Sequence, residues 1–148
     1  PRVALLAMEE VREIYQARAA LFDLIATAVA RNASTGDIAT LRAPLSEMER
    51  AFHDEDLNAF VWANVDFYDR NTQLANNRTV KRILDSLLLR TLRLRRLSLS
   101  QPDRMQASLD DNARLLKAYE NRDATLAAAL IRSNHMNALA ALEKCLPR

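Results

Sequence analysis

Residues 57–74 read LNAFVWANVDFYDRNTQL. Leu57, Phe60, Val61, Phe67 and Leu74 recur at helical spacing and build one apolar face. Asn64 and Tyr68, four residues apart, fall on that same face, and Asn71 continues their row. The stretch is therefore a helix that turns polar side chains toward its core. Asp54-Glu55-Asp56 before it suits a helix N-terminus, and Asn76-Asn77 after it suits a C-terminal cap.

The same pattern extends to both sides and predicts six helices. The first covers residues 3–31 and stops at Asn32-Ala33-Ser34-Thr35-Gly36. The second is capped by Asp37 and follows Ile38, Leu41, Leu45, Met48 and Phe52, with Pro44 forcing a kink or a late start. The third is 57–74, the fourth 79–99, the fifth 104–120 and the sixth 123–145. Gly36 is the only glycine, so the chain lacks the turn residues of an all-β fold and the Gly-rich loop of a phosphate-binding motif. Short connections favour an antiparallel bundle. At 148 residues the chain is one domain with enough core to fold without disulfides.

Each of four helices carries a polar residue inside its apolar stripe. Arg18 interrupts Val11, Ile14, Leu21, Ile25 and Val29. Asn64 and Tyr68 interrupt the third helix, Asn112 the fifth and Asn134 the sixth. Arg90 falls on the row of Ile83, Leu87 and Leu94 of the fourth helix. A buried amide costs a few kcal/mol unless it is paired, and a buried guanidinium costs more. Taken singly, such residues are usually structural hydrogen bonds. Taken together, they fit either a self-satisfied network, with Arg18 paired to Asp66 or Asp110, or a cavity for a small anionic ligand. An Arg fork suits a carboxylate.

Other chemistry is sparse. His53 lies in an acidic loop and reads as a surface residue, and His135 as the edge of the core. Two His and one Cys, Cys145, cannot assemble a zinc cluster from soft ligands. No nucleophile–base spacing or carboxylate pair points to an enzyme. The net charge of +2 is too mild for a dedicated nucleic-acid binder. No apolar run approaches a membrane span and no leader opens the chain, so a cytoplasmic protein is expected. The chain begins with Pro1 rather than Met, so a fragment or processed product is also expected. The leucine-rich run from Leu88 to Leu97 is apolar almost all round. It belongs either to a dimer face or to a helix packed on several sides.

Several segments together resemble the C-terminal effector-binding (FCD) domain of FadR-type regulators in the GntR family of bacterial transcription factors. Glu13-Ile14-Tyr15-Gln16-Ala17-Arg18-Ala19-Ala20-Leu21 is similar to its first helix, which carries an Arg at the Arg18 position; Phe22 stands where Glu is usual. Asn64-Val65-Asp66-Phe67-Tyr68 with Asn77 resembles its Asp-x-x-Phe-His … Gly-Asn signature. The segment from Ser108 to Ala118 resembles Glu-His-x-x-Ile-Leu-x-Ala-Ile, and Arg122-Asp123 with Ala127 and Asn134 resembles Gly-Asp … Ala … His.

The resemblance implies an all-α bundle like the FadR C-terminal domain. Its DNA-reading winged helix-turn-helix would lie N-terminal to Pro1. It also implies a divalent-metal site of one Asp and three His, which maps onto Asn64, Tyr68, Asn112 and Asn134. All four metal ligands are thus replaced, so no metal cofactor is expected. The expected ligand site is Arg18, Asn64, Tyr68, Asn112 and Asn134, with Arg90 as a sixth member. The implied protein is a homodimer that binds a small, carboxylate-bearing effector and meets DNA only through the other domain. The rival readings are a small helical enzyme using the same pocket and a purely structural dimerisation module.

Overall fold

The computed structural model describes residues 7–146. Eight helices account for nearly all of them: α1 (Met8–Asn32), α2 (Thr35–Ala39), α3 (Arg42–His53), α4 (Leu57–Leu74), α5 (Arg78–Ser86), α6 (Leu88–Leu99), α7 (Arg104–Glu120) and α8 (Ala124–Cys145). No strand occurs among the described residues. The expected start of the first helix at residue 3 lies outside them.

Two of the six expected helices are each broken in two. The second divides at Thr40-Leu41. This puts Pro44 in the first turn of α3, where a missing N–H removes no helical bond. Ser34, rather than Asp37, caps α2; its hydroxyl accepts from the Asp37 N–H at 3.0 Å. The fourth divides at Leu87, between α5 and α6. The remaining ends follow local chemistry. Asp56, Asn77 and Asp123 each accept a backbone N–H of the first turn that follows, at 3.0 Å. Asn76 and Arg122 are left-handed (φ 56° and 57°) at positions where the sequence resemblance implies Gly. Arg122 also donates to the carbonyls of Ala30 and Ala33, and so caps the end of α1.

Three contacts fix α1 antiparallel to α8: Arg12 with Glu143 at 3.1 Å, Arg18 with His135 at 3.3 Å, and Asp23 with Arg132. By contrast, Asn64, Tyr68 and Asn71 of α4 meet Ser108, Asn112 and Tyr119 of α7 in the same order. These two helices therefore run parallel, as diagonal members of an up-down bundle do. The apolar core has two parts. The larger includes Phe22, Ile25, Phe60, Phe67, Leu115 and Ile131. The smaller, at the other end of α1 and α8, includes Val11, Ile14, Tyr15, Leu94, Leu139 and Leu142.

Inside the larger part, Tyr119 donates to Asn71 Oδ1, and Asn71 Nδ2 donates to the Phe67 carbonyl at 2.8 Å. Both residues are fully buried. Tyr119→Phe strands the Asn71 acceptor, and should cost about 1–3 kcal/mol in urea unfolding with little change in the denaturant slope. A variant as stable as the parent would show that this pair does not hold α4 to α7.

Candidate functional site

The seam between the two parts of the core is polar. Each helix that crosses it changes character there. On α1, Arg18 separates Tyr15 from Phe22; on α6, Arg95 and Ser98 separate Leu94 from Leu99; on α8, Asn134 and His135 separate Ile131 from Leu139. A cavity of ≈ 30 Å³ lies at this seam. That is room for a few waters. Its walls include Arg18, Asn64, Tyr68, Arg95, Asn134 and His135.

The side chains fall into two groups. The first is a hydrogen-bonded chain: Asn134 Nδ2 donates to the Tyr68 hydroxyl, which donates to Asn112 Oδ1 at 3.3 Å, and Asn64 Nδ2 reaches Ser108 Oγ at 3.5 Å. Asn112 does not face the cavity; its amide contacts Met48 Sδ at 3.8 Å and it stands behind Tyr68. The second group is cationic. Arg18 is 3% exposed and stacks over the Phe22 ring, with 5.1 Å from Cζ to centroid. Among the described residues its only polar partner is His135. Arg95 stands over the Tyr68 ring at 5.9 Å, and Arg104 completes the wall from α7. Among the described residues no acidic side chain lines the cavity.

His135 has one consistent tautomer. Its Nδ1 lies 2.8 Å from the Ile131 carbonyl, which can only accept, so Nδ1 carries the proton. Nε2 then accepts from the Arg18 guanidinium at 3.3 Å. Burial, and after it the Arg18 charge, hold the imidazole well below its ordinary pKa. Burial first, and then the neighbouring Arg95 charge, pull Arg18 down to about 9. Arg95 and Arg104 are lowered by burial as well, and burial raises the phenols of Tyr15 and Tyr68.

These residues do not fit a divalent metal. Asn64, Tyr68, Asn112 and Asn134 offer amides and a neutral phenol, and they bond one another. The one imidazole at the site, His135, directs its free lone pair at a guanidinium, which repels a cation. Among the described residues no group of three His, Cys, Asp or Glu comes together.

Of the expected site residues, Arg18, Asn64, Tyr68 and Asn134 line the cavity and Asn112 supports it. Arg90 does not join them. Its side chain is 59% exposed and faces Glu10 at 3.7 Å. The break at Leu87 resets the helical phase, so the inward row of α6 is Thr91, Leu94 and Ser98 with Arg95 beside it. Arg18 has no carboxylate partner: Asp66 pairs with Arg70 at 3.0 Å, and Asp110 is exposed. His135 is deep in the site rather than at the edge of the core. Arg95, Ser98, Arg104 and Ser108 were not legible as site residues. Reading α6 as a separate helix from its Thr91–Ser98 spacing would have found the first two.

A buried neutral His135 makes the fold acid-sensitive. The folded pKa is depressed, so stability is present above the unfolded value and is lost as pH falls through it. Below about pH 6.5 the loss approaches about 1.4 kcal/mol per pH unit. Thermal unfolding should therefore show a drop in Tm from pH 7.5 to 5.5 that is clearly smaller in His135→Gln. Equal drops in both proteins would assign the acid sensitivity elsewhere.

Comparison with known proteins places this architecture. The FCD domain matches residues 13–138. No curated protein matches the chain in sequence. Among solved structures, Streptococcus agalactiae GntR is similar with a TM-score of 0.73 and 17% identity, over 86% of this chain and 57% of that one. E. coli McbR/YncC is similar with a TM-score of 0.84 and 20% identity, over 97% of this chain and 73% of that one. At these identities the likeness is one of fold, and the chain spans little more than half the length of the streptococcal protein. The chain belongs to the FCD domain family and shares its all-helical fold with these two solved structures.

Proposed function

We propose that this domain senses a small anionic metabolite in the seam cavity and that occupancy alters operator binding through a DNA-reading domain of the full regulator. One observation carries the reading: Arg18 is buried on the cavity wall without a carboxylate. A buried cation is costly unless it is paired, and an anionic ligand supplies the missing partner. A carboxylate, held by the guanidinium fork, is the simplest such group. The effector acts by linkage, binding two arrangements of the regulator unequally. It is held without a transition metal, because arginine supplies the positive charge. The setting is cytoplasmic; among the described residues no helix is long and apolar enough to cross a membrane.

The two rivals each meet an obstacle. An enzyme needs a poised base, and both nitrogens of His135 are engaged. A purely structural module accounts for the Tyr68–Asn112–Asn134 chain, but not for the cations left beside it.

The functional unit is a homodimer that uses the α5–α6 surface. Leu89 is 85% exposed and Ile83 43%. Such a patch favours burial against a second copy. Sedimentation should give a dimer at tens of micromolar, a rough scale for a stable interface; Leu89→Glu should shift it toward monomer. A monomeric parent would remove this part of the account.

Thermal-shift screening of organic acids, sugar acids and phosphorylated metabolites should reveal a stabilising ligand. Arg18→Ala should weaken it by at least roughly tenfold, since a charge-assisted hydrogen bond contributes about 1.5–3 kcal/mol. Arg18→Lys should recover only part, because the planar fork is lost. Exhaustive chelation should leave the affinity unchanged. Binding that is indifferent to Arg18 would refute the site, and loss on chelation would refute its metal independence.

A further inference from the structure

Six buried side-chain polar atoms lack a hydrogen-bond partner among the described residues, and all six belong to residues of the seam cavity. They are Tyr15 Oη, Arg18 Nε, Arg95 Nε, Ser98 Oγ, Arg104 Nε and Asn134 Oδ1. Orphaned groups of this kind are few in folded proteins, and each costs desolvation energy. Here they are gathered at one place, and five of the six can donate. Three are guanidinium N–H groups, from α1, α6 and α7. None of these arginines forms an ion pair among the described residues. The acids that act on Arg104 and Arg95 are turned to other bases: Asp111 to Arg114 at 3.8 Å and Asp69 to Lys81 at 3.8 Å. Three like charges in one small chamber demand more than the single charge of a monocarboxylate.

The shape narrows the ligand further. A second, outer cleft of ≈ 350 Å³ shares Arg18, Tyr68 and Arg95 with the inner chamber of ≈ 30 Å³. Its other walls combine Phe22, Trp62, Leu84 and Leu88 with Asp66, Asp69 and Asp85, whose charges are met by Arg70 and Lys81. The inner chamber admits one compact group, whereas the outer cleft has the volume of a small-molecule site with a mixed apolar and polar lining. A dicarboxylate spreads its two charges over several carbon atoms. A phosphoryl group concentrates two charges and three acceptor oxygens in one centre.

Resting on the effector reading above, we propose that the inner chamber receives the phosphoryl group of a phosphate monoester, with the organic body in the outer cleft. The three guanidinium groups neutralise the dianion, and the Tyr15 and Ser98 hydroxyls donate to its oxygens. Arginine forks suit phosphate geometry. Free inorganic phosphate shares the head chemistry but leaves the outer cleft unused.

Isothermal titration of the chain at pH 8 with four probes tests this: phenyl phosphate, its monoanionic methyl ester, inorganic phosphate and succinate. Phenyl phosphate should bind at least about tenfold more tightly than each of the others, the size of one lost charge-assisted contact. Arg95→Gln and Arg104→Gln should each remove about tenfold from phenyl phosphate and little from the methyl ester. Arg104 is the more exposed of the seam arginines, so Arg104→Gln alone decides the matter if Arg95→Gln does not fold. Inorganic phosphate binding as tightly as phenyl phosphate would overturn the role of the outer cleft. Methyl ester or succinate binding as tightly would overturn the phosphoryl assignment while leaving an anion sensor in place. Failure of all four anions to bind would overturn the effector reading as well.

Discussion

The fold is organised around a charge imbalance at its seam. Arg18 is buried between two apolar clusters, and its only polar partner among the described residues is a neutral imidazole. A guanidinium in that position destabilises an isolated domain unless something else meets it. The surrounding structure does not relieve the cost: Arg95 and Arg104 are held on the same cavity wall, and the acidic residues of α4 are paired on the outside of the bundle. Stability instead comes from the two apolar clusters and from hydrogen bonds such as Tyr119 to Asn71. On the proposed reading, the seam is where stability is given up for binding, a pattern common at functional sites.

The sequence carried the helical architecture well because periodicity and caps are local. The stripe of residues 57–74 and the caps at Asp56, Asn77 and Asp123 needed no knowledge of neighbours. What it hid were the breaks. Residues 79–99 form a continuous apolar pattern, and nothing at Leu87 is a helix breaker. α5 nevertheless ends there, and the phase reset turns Arg95 and Ser98 inward and Arg90 out. Arg18, Asn64, Tyr68 and Asn134 were legible because each sits inside an otherwise apolar row. Arg104 was not, because it lies at the first turn of α7, where a basic residue reads as solvated. His135 was displaced by one position from the stripe of α8, yet a wide buried face takes in both Asn134 and His135.

The resemblance to metal-binding relatives has a physical sequel. Replacing one Asp and three His by amides and a phenol removes a positive ion and its ligand charges together. Here the replaced residues bond one another, and arginines supply positive charge beside them. A metal is a point charge with angular demands, whereas guanidinium groups offer directional forks and adapt by rotating. On the proposed reading, the arginines rather than a metal set the shape and valence of the anion that the cavity prefers.

The central claim is that the seam arginines bind an anion together. Guanidinium N–H resonances report this directly, since Nε of Arg18, Arg95 and Arg104 is unpaired in each case. Titration with phenyl phosphate, followed by ¹H–¹⁵N correlation of the arginine Nε–Hε groups, should move three buried resonances along saturating curves with one shared Kd. Curves with unrelated midpoints, or shifts confined to exposed arginines such as Arg90, would contradict the account.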